Sequence, residues 1–224
     1  MIYHYPTIDS TMRIAASLRI GDIVTADEQT AGQGRHGHSW HSERLSGLYC
    51  SFVLAPTRLL TLALGLATRD AIVKSTGIFC DLRWPNDAML DGRKVAGVLV
   101  QLVDGKAIGG IGVNVNHTGF PPELAGEAIS LRLHTGREFA RAEILDALRR
   151  SIPLFAEEDA ETIVDLFTSA SSYATGRRVI VHHQPDGVIE GTTAGLDSEG
   201  YLIVRRDDGT DTLILAGGVR AAGS

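Results

Sequence analysis

Two long apolar runs joined by a tight turn constrain this chain more than any other feature: Val95 to Leu102 and Ile108 to Val115, separated by Asp104-Gly105. An Asp-Gly pair between strand-like runs signals a hairpin, because the two-residue turn needs positive φ at both positions. A second such pair, Asp91-Gly92, precedes the first run, and shorter strand-like segments lie at Leu82 to Trp84 and Ala88 to Leu90. With Ile23 to Asp27 and Leu48 to Leu54, these segments predict an antiparallel or mixed sheet. Helical spacing marks four further segments. Asp9 or Ser10 caps a helix to about Arg19, with Thr11, Ile14, Ala15 and Leu18 on one face. Leu60, Leu64, Ala67 and Ala71 stripe a helix from Leu60 to Ser75, which Gly77 closes. The last two run from Arg141 to about Glu157 and from Glu161 to about Ala170, the latter with Ile163, Leu166, Phe167 and Ala170 on one face. Pro153 predicts a bend or break in the former.

After Tyr173-Ala174-Thr175-Gly176 the pattern changes to short strands: Val179 to His182, Val188 to Leu196, Tyr201 to Arg205 and Thr212 to Leu215. Asp186-Gly187, Ser198-Glu199-Gly200 and Asp208-Gly209 separate them, which predicts a small β-barrel module. A chain of 224 residues has room for one large domain and one small one, here 1–175 and 176–224. Net charge is −6, so the surface as a whole does not attract a polyanion. Cys50 and Cys80 sit among apolar neighbours, as small core residues do, and do not make a disulfide framework. No basic segment leads an apolar run at the N-terminus and no stretch has the uncharged length of a membrane span, so a cytoplasmic chain with no membrane partner is expected.

Four stretches carry residues suited to chemistry. The segment from Gln29 to Trp40 contains Gly32, Gly34 and Gly37 around Arg35. Glycines let backbone N–H groups turn toward an anion, and an arginine grips a phosphate or carboxylate in two places. A flexible surface loop is the plain alternative, and the spacing matches neither a Walker loop nor a dinucleotide fingerprint. His36, His38 and His41 cluster here with Glu43 as the one carboxylate at ligand spacing, but three histidines in a glycine loop are poorly preorganised, and no protein-ligated metal is expected. Arg83-Trp84-Pro85-Asn86-Asp87 puts an amide and a carboxylate at a strand end, in residues that also form ordinary turns. Lys94 heads the apolar run Val95 to Val100, either as a solvated strand end or as a point charge for an acyl phosphate, and its removal should cost the fold little. Gly109-Gly110-Ile111-Gly112-Val113-Asn114-Val115-Asn116 again combines glycines with asparagines on one face.

Together, in order, Asp9-Ser10-Thr11, Gln29 to Trp40, Arg83 to Asp87, Lys94 to Val100 and Gly110 to Asn116 closely resemble the successive motifs of the biotin protein ligase family, over a span from about residue 9 to the C-terminus. The resemblance implies an α+β catalytic domain like that of class II aminoacyl-tRNA synthetases, with a mixed or antiparallel sheet, followed by an SH3-like β-barrel. It implies ATP-dependent activation of biotin to biotinyl-5′-AMP, with Mg²⁺ accompanying ATP, and transfer to a lysine of a biotin carboxyl carrier protein domain. Ser10, Thr11, Gln29, Gly32, Gln33, Gly34, Arg35, Lys94 and Gly97 would bind biotin. Arg35, Arg83, Trp84, Asn86 and Asn114 would lie on the nucleotide side, and Arg35, Lys94 and Asp87 would be catalytic. The match departs from the family at Met12, Gln33, His38, Arg83 and Gln101, which removes two loop arginines near the nucleotide. Lipoate or octanoate transfer on the related fold is the alternative activity. The motifs begin at Asp9, so no helix-turn-helix module and no DNA binding are expected, with a monomer or weak homodimer as the assembly.

Overall fold

The Asp104-Gly105 turn closes as its sequence predicts in the computed structural model, which describes residues 1–184 and 187–222: the two residues have φ of 48° and 73°. It joins two strands at the centre of a seven-stranded sheet. In chain order the first part of the molecule comprises β1 (Ile2–Tyr5), α1 (Thr11–Ala16), β2 (Ile23–Ala26), β3 (Gly47–Leu54), α2 (Leu60–Thr76), β4 (Asp81–Arg83), β5 (Asp87–Leu90), β6 (Arg93–Val103), β7 (Lys106–Asn114), α3 (Leu131–Thr135), α4 (Arg141–Ala156) and α5 (Ala160–Ser169). The strand order is β1-β2-β3-β7-β6-β5-β4. β1 runs parallel to β2 and the other neighbours are antiparallel, so the sheet is mixed. The sequence does not announce β1, because its four residues alternate between exposed and half-buried and form no apolar run.

Helices cover both faces of the sheet. On one, the Leu60, Leu64, Ala67 and Ala71 stripe of α2 packs with Leu148 and Ile152 of α4 and Phe167 of α5 in the main core. On the other, Met12 and Ala15 of α1 pack against Val24, Val53 and Ile108. Three helical expectations need correction. α1 ends at Ala16 and not near Arg19, because Lys106 Nζ takes the carbonyls of Ala16 and Leu18 at 2.9 and 2.8 Å and so satisfies the chain end. α4 runs unbroken through Pro153, which is exposed in the last turn, where the missing N–H frees only the carbonyl of the exposed Arg149. Leu166 is 40% exposed although Ile163 and Phe167 of the same helix are buried.

The C-terminal part is a five-stranded antiparallel sheet of β8 (Thr175–Gln184), β9 (Gly187–Leu196), β10 (Leu202–Arg205), β11 (Asp211–Ile214) and β12 (Gly218–Ala221), in the order β11-β10-β9-β8-β12. The short β12 is a strand beyond those read from the sequence, and Asp186 of the Asp186-Gly187 turn lies outside the described residues. Val179, Val181, Leu202, Val204, Ile214 and Val219 extend the same core that α2 builds. Trp84 ties the two parts together: it is 4% exposed and its indole N–H donates to the Gly200 carbonyl at 2.9 Å. Gly200 has φ of 76°, and a Cβ there would come within 2.6 Å of Leu59 and 2.9 Å of Leu62 at the start of α2. Among the described residues, no helix is long and apolar enough to cross a membrane.

Replacing Trp84 by phenylalanine keeps one aromatic ring but removes the pyrrole half of the indole with its N–H, and so strands the Gly200 carbonyl in a buried setting. The unfolding free energy from urea titration should fall by about 1–3 kcal/mol. An unchanged midpoint would show that this bond does not hold the C-terminal sheet in place.

Candidate active site

Alternate residues of a strand share a face, so Gly97 of β6 and Gly110 and Gly112 of β7 all lie on the α1 side of the sheet. Gly97 pairs directly with Gly112. A Cβ on Gly112 would run into the indole of Trp40, one on Gly97 would come within 2.9 Å of the same ring, and one on Gly110 within 2.7 Å of Met12 Sδ. The bare strand pair is therefore the floor of a cleft of about 440 Å³, with Trp40 over it. Ser10, Thr11, Gln29, Gln33, Gly34, Arg35, Asn86 and Lys94 also line this cleft.

Neutral polar groups form one part of the lining. Ser10 opens α1 as its sequence suggests, yet its hydroxyl caps nothing, which corrects the expectation of a side-chain cap. The Thr11 N–H bonds instead to Gln29 Oε1 at 2.8 Å. Gln29 thus does the capping, and the Ser10 hydroxyl is left buried without a protein partner. Thr11 Oγ1 donates to the same Gln29 oxygen at 3.0 Å, so it must accept from Ser51 Oγ at 2.8 Å. Gln29 Nε2 donates to Ser42 Oγ, which donates to the Trp40 carbonyl. This relay fixes the orientation of the Gln29 amide and the backbone that carries Trp40. The Trp40 indole N–H is likewise buried without a partner.

Charged groups form another part. The β5–β6 register shifts between Ala88 and Met89: Met89 faces Lys94, and Ala88 faces Ala96. Val95 is the extra residue, and this bulge brings Lys94 onto the same face as Gly97, three positions on. Lys94 Nζ lies 2.6 Å from Asp87 Oδ1 and 5.1 Å from the centroid of a Trp40 ring. Arg83 pairs with Asp87 Oδ2 at 2.7 Å. Burial by itself would raise the Asp87 pKa, but Lys94 and Arg83 together outweigh it and hold the carboxyl below its usual range. Arg35 donates to Asn86 Oδ1 and to the Gly217 carbonyl, both at 3.3 Å, and so touches the C-terminal sheet as well as the cleft. Burial lowers its pKa and Asp87 pulls it back up; a guanidinium stays charged.

The fold brings Ser10, Thr11, Gln29, Gln33, Gly34, Arg35, Asn86, Lys94 and Gly97 to one cleft. Gly32 supports it from behind, because a Cβ there would come within 2.7 Å of the Trp40 carbonyl and 2.8 Å of Ser42 Oγ. Asp87 stands behind Lys94, and Asn114 Nδ2 donates to the Lys94 carbonyl at 3.3 Å. Arg83 and Trp84 are not brought to the cleft: Arg83 is spent on Asp87, and Trp84 on the Gly200 carbonyl in a neighbouring cleft against the C-terminal sheet. Sequence reasoning missed Trp40 and Met12 as lining residues. A tryptophan at the end of a glycine-rich loop was the available signal, since so large an apolar group needs a surface to cover.

The sequence model of the "Biotin/lipoate A/B protein ligase family" matches residues 5–117, and that of the "Biotin protein ligase C terminal domain" matches residues 175–219. The chain is 32% identical to the "Bifunctional ligase/repressor BirA" of Bacillus subtilis over 93% of its own length and 70% of that protein's. It is 29% identical to the "Biotin--[acetyl-CoA-carboxylase] ligase" of Mycobacterium tuberculosis over 88% of this chain and 77% of the relative. The structure of the biotin protein ligase from Aquifex aeolicus in complex with biotin and ATP superposes with a TM-score of 0.89 at 32% identity, covering 99% of both chains. The fold is accordingly α+β, with a mixed sheet followed by an SH3-like domain. The cleft, the family matches and the near-complete superposition agree, and the chain belongs to the biotin/lipoate A/B protein ligase family, among its biotin protein ligases.

Proposed function

We propose that this chain uses ATP, with its accompanying Mg²⁺, to convert biotin into biotinyl-5′-AMP, and then passes the biotinyl group to a lysine of a biotin carboxyl carrier domain. One observation carries this reading: a single glycine-floored cleft combines an unpartnered neutral set, the Ser10 hydroxyl and the Trp40 N–H, with two cations, Lys94 and Arg35. The neutral set with Thr11 and Gln29 suits a ureido ring. The cations suit a carboxylate and a phosphate. In the first step the biotin carboxylate oxygen bonds to the α-phosphorus of ATP, the bond from that phosphorus to the bridging oxygen breaks, and pyrophosphate leaves. In the second step the carrier lysine amine bonds to the biotinyl carbonyl carbon, AMP leaves, and the amine proton goes to solvent. No enzyme nucleophile is required, so catalysis is positioning plus charge stabilisation.

Within this reading Lys94 and Arg35 are catalytic. Asp87 is a positioning residue: it aims Lys94, and a carboxylate held between two cations is a poor base for an incoming amine. Arg83 acts through Asp87 and Trp84 through the C-terminal domain, while Asn86 and Asn114 face the nucleotide side. Gly34 and Gly97 let the backbone approach biotin, Gln33 lines the same end of the cleft, and Gly32 lets the loop pack behind it. The division of labour follows residues 1–175 and 176–224. We further propose cytoplasmic action as a monomer or weak homodimer without DNA binding. The unpaired buried cysteines and the net charge of −6 support the first and last of these.

Biotin-dependent exchange of pyrophosphate into ATP, run beside lipoate, tests the assignment; exchange with lipoate alone would replace it by the related activity. Lys94→Ala should lower biotin-dependent exchange by roughly a hundredfold or more, the equivalent of about 3 kcal/mol of transition-state stabilisation. Lys94→Arg should not restore it, because a planar fork does not replace a compact ammonium group. The sequence alone suggests little cost in stability, but Lys94→Ala leaves Asp87 with only Arg83, and thermal unfolding should register a loss of about 1–3 kcal/mol.

Arg35→Ala should slow adenylate synthesis and let biotinyl-5′-AMP escape faster, read as leakage in a filter assay; equal synthesis and retention would remove Arg35 from the phosphate site. A duplex mobility-shift titration at moderate salt should show no sequence-specific complex, and a specific shift would overturn the proposal that DNA is not a partner.

A further inference from the structure

Outside the cleft, His41, Glu43 and His117 converge so that one ligand atom from each lies within 4.8 Å of the others. His117 is fully buried and stacks on Phe120 with ring centroids 5.0 Å apart. Its tautomer follows from its neighbour. The Tyr49 hydroxyl has a single proton to donate. That proton goes to the Glu43 carbonyl at 2.8 Å. The hydroxyl must therefore accept in its 3.2 Å bond with His117 Nε2, which puts the ring proton on Nε2. Nδ1 is left as an open lone pair, and it is buried without a partner. An imidazole whose N–H is fixed by an oxygen acceptor and whose other nitrogen is open has the arrangement found in metal-ligating histidines.

We propose that His41, Glu43 and His117 form a site for a divalent transition-metal cation of the zinc type, bound by two imidazole nitrogens and one carboxylate oxygen with water completing the sphere. Bonds of about 2.0–2.2 Å place such ligand atoms roughly 3.3 Å apart, so the cluster must contract by on the order of 1 Å. The exposed Glu43 and half-buried His41 side chains can close onto the fixed ring of His117. Two imidazoles favour a borderline-soft ion over magnesium, which requires oxygen ligands in an octahedral array. The sequence sets Glu43 beside His36, His38 and His41 without predicting a protein-held metal; what the fold adds to His41 and Glu43 is the distant His117. His41 and Glu43 flank Ser42, the residue that holds Gln29 and the Trp40 carbonyl. An ion here would fasten the segment carrying the cleft's tryptophan to residues 117–120.

The test uses full-length protein stripped with chelator and dialysed, then titrated with Zn²⁺ by calorimetry and with Co²⁺ by visible absorption. One equivalent should bind, Co²⁺ should develop d–d bands in the visible, and Zn²⁺ should raise Tm. His41→Ala and Glu43→Gln should each weaken Zn²⁺ binding by roughly tenfold or more and remove the Co²⁺ bands. Both should leave the metal-free Tm near that of the parent, because neither side chain is buried in the core. Absence of saturable binding would overturn the proposal, and so would binding that is equal in the parent and both variants, which would place the ion elsewhere.

Discussion

The cleft depends on two strands giving up their side chains at the same place. Gly97 and Gly112 are register partners near the open end of the β6–β7 hairpin, and Trp40 comes down onto the surface they leave. Any Cβ at either position would meet the indole, so loop and sheet are matched to each other and neither tolerates change alone. Glycine weakens a strand through backbone entropy and lost packing. The long apolar hairpin offsets that cost with continuous hydrogen bonding and with Val95, Val98, Ile111 and Val113 buried on the opposite face. The sheet is a rigid frame, and its glycines mark where the frame is open to a ligand.

Charge is placed with the same economy. A one-residue bulge points Lys94 into the cleft, and Asp87 receives it together with Arg83. A buried carboxylate flanked by two cations is compensated within the protein, while Lys94 stays partly exposed and open to a second anion. On the neutral side, the Gln29 amide caps the first turn of α1 and leaves Ser10 uncommitted. In both places one residue absorbs a local structural demand so that its neighbour remains available to a ligand.

Much of this was legible in the sequence, and the gaps have physical causes. The central hairpin, α2 with its closing Gly77, and most strands of the C-terminal sheet follow from apolar periodicity and turn chemistry, which are local. Ser10, Gln29, Arg35 and Lys94, which the sequence singles out because they stand in short ordered motifs, do line one cleft. β1 and β12 were not legible, since a four-residue edge strand pairs through its backbone and leaves little pattern in its side chains. The destination of Trp84 was hidden because the Gly200 carbonyl belongs to a distant turn. The approach of His41 to His117 is equally non-local: spacing within the loop pointed to its own histidines, whereas the segment after β7 supplies the one that is buried.

The Trp84 bond to Gly200 also bears on synthesis. The two residues are 116 positions apart, and the core that α2 begins is completed by side chains from β8 to β12. At translation rates of about 5–20 residues per second, the indole and the apolar face around it wait on the order of ten seconds for their partners to be made. By Asn114 the seven strands of the central sheet have all been made, so what the nascent chain leaves exposed through the rest of that interval is the apolar face that β8 to β12 will cover, and a ribosome-associated chaperone would meet that face late in elongation.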